Sequence, residues 1–132
     1  MANDMDTTEQ TRADEVRAFI ARTPLAQEMG LRCEVMGDEM TMIMPYQEKL
    51  IGNFMIKAIH GGAIAAFLEL TSQAQVFLVT EHLERPPRPI NLTIDYLRQG
   101  HAKDLYARAE AWQDERAKPV TTLMAHFMVS GD

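Results

Sequence analysis

The spacing of apolar residues predicts that the ordered chain begins with a helix. Val16, Phe19 and Ile20 form an i, i+3, i+4 apolar stripe. Thr11 precedes this stripe and is a suitable N-cap, because its hydroxyl can accept a hydrogen bond from a first-turn N–H. Pro24 lacks a backbone N–H and therefore ends this helix or starts a short second one.

Two strands and a long loop are predicted next. The segments Leu31–Met36 and Glu39–Met44 are rich in β-formers and flank the turn residues Gly37-Asp38. Methionine occupies alternate positions of the second segment, which favours one buried face. Pro45–Ile59 has no regular period and is predicted to be a long loop, which in a compact domain is often functional.

Residues 61–81 give the strongest helical pattern in the chain. Apolar residues lie on most sides of this segment, as expected of a buried helix. One face differs, because it combines small residues with a single acid, Glu69. The residues of this small-residue face are Gly62, Ala65, Ala66, Glu69, Ser72, Gln73 and Val76.

Three strand-like runs follow the long helix, at Ile90–Leu97, Asp104–Trp112 and Val120–Val129. Successive strands with short links should pair antiparallel. The order of short helix, two strands, long helix and three strands predicts an α+β fold in which one antiparallel sheet wraps around one long central helix.

Composition narrows the class of protein. The 132 residues fit one domain, predicted over residues 11–132, and the polar residues 1–10 are expected to be disordered. Cys33 is the single cysteine, so no internal disulfide can form. The net charge of −6 argues against nucleic-acid binding. No basic leader or membrane-spanning run is evident, and a cytoplasmic location is expected.

The segment His60–Glu69 carries the chemistry. Two glycines at a helix start allow a ligand close to the backbone, and first-turn N–H groups can bind a developing oxyanion. Glu69 lies seven residues after Gly62 on the same face, where a carboxylate could supply a base or nucleophile. The ordinary alternatives are a simple Gly-Gly turn and a solvated glutamate.

These motifs resemble the hot-dog acyl-CoA thioesterases of the phenylacetate-pathway and 4-hydroxybenzoyl-CoA type. The resemblance covers about residues 25–130 and rests on Pro45-Tyr46, Ile51-Gly52-Asn53, His60-Gly61-Gly62 with the spaced acid, and Ile90–Arg98. Two differences exist. Lys57-Ala58-Ile59 stand where many relatives have a glycine, and one extra residue separates Asn53 from His60.

The resemblance implies a role for each residue of a catalytic site. The Gly61 N–H would bind the thioester carbonyl, and Glu69 would act as nucleophile or general base. Asn53 would hold the substrate or the attacking water, and Gln73 would position water. His60 would orient the loop more than it would transfer protons.

Four further residues are expected to contact the substrate. Gly62 would let the substrate approach the backbone closely. Arg85, Arg88 and Arg98 could neutralise the phosphates of CoA, although solvated surface charges are the ordinary reading of such arginines. The four histidines show no metal-ligand spacing, so neither a metal nor a cofactor is expected.

The sequence therefore predicts an acyl-CoA thioesterase. The resemblance implies a homodimer with the site at its interface, pairing further into a homotetramer. Two alternatives stay open: a module that binds acyl-CoA without hydrolysing it, and a hot-dog dehydratase or hydratase. A dehydratase or hydratase needs a histidine and an acid arranged for proton transfer at carbon. His60 is the one histidine in the sequence that could belong to such a pair.

Overall fold

The computed structural model describes residues 3–80, 87–89, 91–112 and 122–129. Within these ranges it has three α-helices, one 3-10 turn and six strands. The helices are α1 (Asn3–Arg22), α2 (Pro24–Glu28) and α3 (Gly61–Val79), and the 3-10 turn is Glu48–Leu50. The strands are β1 (Arg32–Met36), β2 (Glu39–Met44), β3 (Ile51–Asn53), β4 (Ala58–Ile59), β5 (Leu105–Trp112) and β6 (Thr122–Val129).

Four strands form one antiparallel sheet in the order β1-β2-β5-β6, which confirms the predicted antiparallel pairing. The β1–β2 hairpin turns at Gly37, whose φ of +63° suits a residue without a Cβ. The two strands on either side of this turn and the two C-terminal strands match the predicted segments to within two residues. Strands β3 and β4 form a separate small hairpin that leads directly into α3.

Helix α3 is the centre of the core. It packs against β2 and β5, and its Phe67 and Thr71 are fully buried. The helix is long and apolar enough to cross a membrane, but its apolar composition is accounted for by this burial. The prediction of one long buried helix is confirmed, with its end at Val79 rather than at about residue 81.

Helix α1 covers one end of α3. Val16 and Ile20 are buried, and the Phe19 ring meets Phe77 edge-on with centroids 6.2 Å apart. Arg12 donates hydrogen bonds to the carbonyl oxygens of Phe77 and Thr80, where the last carbonyls of α3 have no partner within the helix. The apolar stripe predicted for the first helix thus marks its contact with α3.

The first helix begins earlier than predicted. It starts at Asn3, so Thr11 lies inside it, and residues 3–10 are helical where disorder was expected. No glycine or proline stands between Asn3 and Arg22, so nothing in that stretch prevents the helix from extending toward the N-terminus.

Two further predictions from the sequence were wrong. Residues 45–59 are not one long loop, because they contain the 3-10 turn and both strands of the small hairpin. The predicted strand Ile90–Leu97 is absent over residues 91–97, and Ile90 lies outside the described residues. Alternation of apolar residues indicates a half-buried surface, but a strand also needs a neighbour for its backbone hydrogen bonds.

Candidate active site

The N-terminus of α3 is capped by His60. Its Nδ1 atom accepts a hydrogen bond from the Gly62 N–H at 2.9 Å, and its carbonyl accepts from the N–H groups of Ala63 and Ile64 at 3.0 and 3.2 Å. Among the described residues, no acceptor faces the Gly61 N–H. Of the first-turn N–H groups, this one is therefore open to a ligand.

The two glycines differ in what surrounds them. A Cβ added to Gly62 would stand 3.0 Å from His60 Nδ1, so a side chain there would press on the capping imidazole. A Cβ added to Gly61 would meet only the Tyr96 ring, at an ordinary contact distance of 3.4–3.5 Å. A side chain at position 62 would therefore require the capping imidazole to shift, whereas the fold tolerates a small side chain at position 61.

The β3–β4 hairpin fixes where α3 begins. The His60 N–H donates to the Leu50 carbonyl at 2.8 Å, and the Ile59 N–H donates to Gly100 at 2.9 Å. Gly52 lies so close to His60 that an added Cβ would stand 2.8 Å from the His60 Cα, a separation that only glycine permits. The pairing shifts between Ile51 and Asn53, as expected where one strand carries an extra residue.

Asn53 stabilises the turn of this hairpin. Its Oδ1 accepts hydrogen bonds from the N–H groups of Met55 and Ile56 at 3.0 and 3.4 Å. The side-chain oxygen is thus occupied, and the Nδ2 group has no acceptor among the described residues. Lys57 completes the turn with a left-handed φ of +49°, a conformation that favours glycine. The glycine that many thioesterases of the resembled type have near this position would adopt this conformation without strain.

Glu69 lies on the one accessible face of α3. Ala65, Ala66, Glu69 and Gln73 are half-buried and Gly62 is exposed, whereas the helix is buried on its other sides. Ser72 and Val76, which the sequence assigned to the same face, are buried instead. Ser72 and Val76 are therefore not part of the accessible face.

Gly61 and Glu69 are far apart along the helix. Eight residues separate them, which corresponds to about 12 Å of helical rise. A glutamate side chain spans less than half of that distance, whereas a reacting carbonyl must lie within about 3–3.5 Å of its attacking group and its oxyanion donor. Within one chain this carboxylate therefore does not reach the Gly61 N–H, and the roles predicted for Gly61 and Glu69 stay predictions.

The remaining predicted residues are Gln73 on α3 and the arginines after this helix. Gln73 donates from Nε2 to the Pro87 carbonyl at 2.9 Å and so attaches the segment after the helix to α3. Arg88, the next residue, is exposed, as is Arg98. Within the described residues neither arginine has an ion pair. Arg85 lies outside the described residues.

Tyr96 is a site residue that sequence reasoning missed. Its hydroxyl donates to the Gly61 carbonyl at 2.9 Å, and its ring lies against the same glycine. The available signals were its place in the alternating run after the long helix and in the Ile90–Arg98 motif, but neither gave Tyr96 a role of its own. Its approach to Gly61 depends on how two segments 35 residues apart meet in the fold.

Similarity to solved structures identifies the architecture. A thioesterase-superfamily protein superposes with a TM-score of 0.79 at 23% sequence identity, over 91% of this chain and 88% of that chain. A thioesterase-family protein from Silicibacter pomeroyi gives a TM-score of 0.69 at 22% identity, over 86% and 82% of the two chains. This chain has the hot-dog fold. The fold class predicted from the sequence is thereby confirmed.

A third solved structure agrees in architecture at lower identity. It is a candidate thioesterase from Ralstonia eutropha, described as related to phenylacetic acid degradation, with a TM-score of 0.70 at 17% identity over 89% and 90% of the two chains. No protein-family profile and no curated protein matches this chain. At these identities the hot-dog structures establish the fold, and the residues at the start of α3 carry the functional argument.

Proposed function

We propose that this hot-dog protein is an acyl-CoA thioesterase. The observation that carries the proposal is that α3 presents two groups on its accessible side: a Gly61 N–H with no acceptor among the described residues, and the carboxylate of Glu69. An oxyanion donor and a carboxylate base or nucleophile are the two groups that thioester hydrolysis needs.

The proposed reaction needs no strong acid. The Gly61 N–H binds the thioester carbonyl oxygen as it gains charge. Glu69 either takes a proton from a water that attacks the carbonyl carbon, or attacks that carbon itself to form an anhydride, which water then hydrolyses to the free acid and the Glu69 carboxylate. The carbon–sulfur bond breaks, and CoA leaves as a thiolate, which is stable because thiols have a pKa near 8.5. Water supplies the hydroxyl of the free acid and the proton of the CoA thiol.

The site is proposed to be completed by a second copy of the chain. The separation of about 12 Å along α3 keeps Gly61 and Glu69 of one chain from the same carbonyl carbon. Two copies with their α3 helices antiparallel would bring Gly61 of each chain toward Glu69 of the partner, because a two-fold axis exchanges the two ends of the helix. The half-buried Ala65 and Ala66 between them leave room for close approach.

We expect the protein to be at least a dimer in solution. Phe54, Met55 and Ile56 at the tip of the β3–β4 hairpin are 72%, 94% and 52% exposed, which is apolar surface that a partner would cover. Light scattering at micromolar concentration should give a mass of at least twice 14.9 kDa. An active, folded monomer would contradict the shared site, and a mass of four chains would support the homotetramer expected by resemblance.

The substrate is proposed to be a CoA thioester held partly by exposed arginines. Arg88 and Arg98 have no ion pair in the described part of the chain, so either guanidinium is available to a phosphate. The proposal also includes substrate contacts by Arg85 and Gly62. It places the protein in the cytoplasm, where it would meet CoA thioesters.

Turnover of a panel of acyl-CoA thioesters, read out as free thiol, tests the function. The protein's own thiol should add little background, because burial raises the pKa of Cys33 against a smaller opposing effect of Arg17. A thioesterase releases CoA continuously. A binding module would retain acyl-CoA without release, and a dehydratase or hydratase would change the acyl chain with the thioester intact.

A further inference from the structure

Tyr96 contacts Gly61 through both its hydroxyl and its ring. The Tyr96 hydroxyl donates to the Gly61 carbonyl at 2.9 Å, and its Cε1, Cζ and hydroxyl oxygen lie 3.4–3.5 Å from where a Gly61 Cβ would stand. The same glycine carries the N–H that has no acceptor within the described residues.

The peptide unit between Gly61 and Gly62 is held at both ends. Its carbonyl accepts from Tyr96, and its N–H donates to His60 Nδ1 at 2.9 Å. The two partners come from opposite directions in the sequence, one from the residue before α3 and one from the segment after it. Together they fix the orientation of this peptide plane.

We propose that Tyr96 is a positioning residue for the oxyanion donor. By holding the Gly61 carbonyl and closing one side of the Gly61 Cα, it restricts rotation about both backbone bonds of that glycine. The preceding N–H is then kept in one direction. Tyr96 acts through Gly61 and need not touch the substrate. The inference rests on the proposed thioesterase function.

Glycine is the residue for which such restraint matters most. Without a Cβ, Gly61 can rotate over a wide range, and a Gly-Gly pair at a helix start is freer still. An oxyanion donor contributes most when it is already aimed at the position of the developing charge. Small displacements of positioned groups lower rates strongly, so a restraint on Gly61 should appear in turnover rather than in stability alone.

A purely structural role for Tyr96 makes a different prediction. In the described part of the chain, the Tyr96 hydroxyl supplies a hydrogen bond that attaches the segment 91–99, in which Ile94 is half-buried and the residues on either side of it are exposed. If Tyr96 only anchors this segment, removal of its hydroxyl should lower the melting temperature and leave kcat unchanged.

Tyr96→Phe separates the two roles, because it keeps the ring against Gly61 and removes the hydrogen bond. We expect kcat to fall about threefold to tenfold, the rate equivalent of one net hydrogen bond, with KM changed less than about twofold. Tyr46→Phe is the matched control. Tyr46 is 40% exposed, and within the described residues its hydroxyl has no partner, so its loss should leave kcat unchanged. An unchanged kcat in Tyr96→Phe overturns the proposal.

A second readout does not depend on turnover. In the parent and in Tyr96→Phe, the carbonyl carbon of Gly61 is observed by NMR after selective glycine labelling. Loss of the Tyr96 hydrogen bond should shift this resonance and leave the other glycines in place, and no shift would overturn the proposal. If the parent hydrolyses no thioester, the proposed function fails, and the carbonyl shift alone still decides whether Tyr96 holds Gly61.

Discussion

Glu69→Gln should abolish most thioester hydrolysis while the protein stays folded and oligomeric. The substitution keeps the size and shape of the side chain and removes the negative charge that a nucleophile or general base requires. Glu69 is half-buried on the accessible face of α3, with no ion pair among the described residues, so little of the fold depends on its charge. Loss of a general base typically costs about 100-fold or more in rate.

The comparison is thiol release by parent and variant on the same substrate. Glu34→Gln is the matched control, because Glu34 is an exposed acid on β1, outside the site, and the same chemical change there should leave turnover unaltered. A Glu69→Gln rate above about a tenth of the parent's, a loss under about 1.4 kcal/mol in the barrier, would show that another group does the chemistry. A parent that binds acyl-CoA without turnover, together with altered acyl-CoA affinity in the variant, would instead identify a binding module.

Gly61→Val should also lower turnover strongly, through obstruction rather than loss of a charge. The branched side chain would crowd both the Tyr96 ring and the path of a carbonyl toward the Gly61 N–H. Loss of one oxyanion donor typically costs about 100-fold or more. Gly61→Ala supplies a graded comparison, because its Cβ fits at an ordinary contact distance of 3.4 Å from Tyr96.

Gly61→Ala should lose activity without losing thermal stability. Alanine costs less backbone entropy than glycine in a helix, so its melting temperature should equal or exceed that of the parent. Activity that falls from glycine to alanine to valine, with alanine fully stable, would assign glycine at position 61 to function. If both variants turn over substrate as fast as the parent, the thioester carbonyl does not bind at the Gly61 N–H.

The two variants together test whether the site is shared between chains. A dimer of one Glu69→Gln chain and one Gly61→Val chain would contain one intact site, built from Gly61 of the first chain and Glu69 of the second, and one doubly altered site. Random mixing by refolding should therefore restore about a quarter of the parent activity from two nearly inactive proteins. No recovery in confirmed mixed dimers would place both groups in one chain.

The exposed hairpin tip fits the same arrangement. Phe54, Met55 and Ile56 are held outward by the turn that Asn53 stabilises, directly before the helix that carries the site. A partner that covers this tip would lie close to the start of α3. The expected oligomer and the shared active site are thus linked through one short segment.

The sequence alone determined those features that depend on local periodicity. The long buried helix, the β1–β2 hairpin and the C-terminal strands were predicted because apolar spacing and turn residues act within a few positions of one another. The segment from His60 to Glu69 was predicted to hold the site for the same reason, since helical spacing assigns its residues to faces of the helix. The resemblance to hot-dog thioesterases supplied the fold, which the solved structures confirm.

Only the tertiary structure decided the features that depend on which segments meet. Residues 91–97 alternate like a strand but pair with none in the described part of the chain, because a strand requires a partner that alternation does not specify. The Asn53 oxygen proved to be used in its own turn, and Tyr96 proved to reach Gly61 across 35 residues of sequence. Side-chain periodicity is local, whereas such hydrogen bonds form only after the chain has packed.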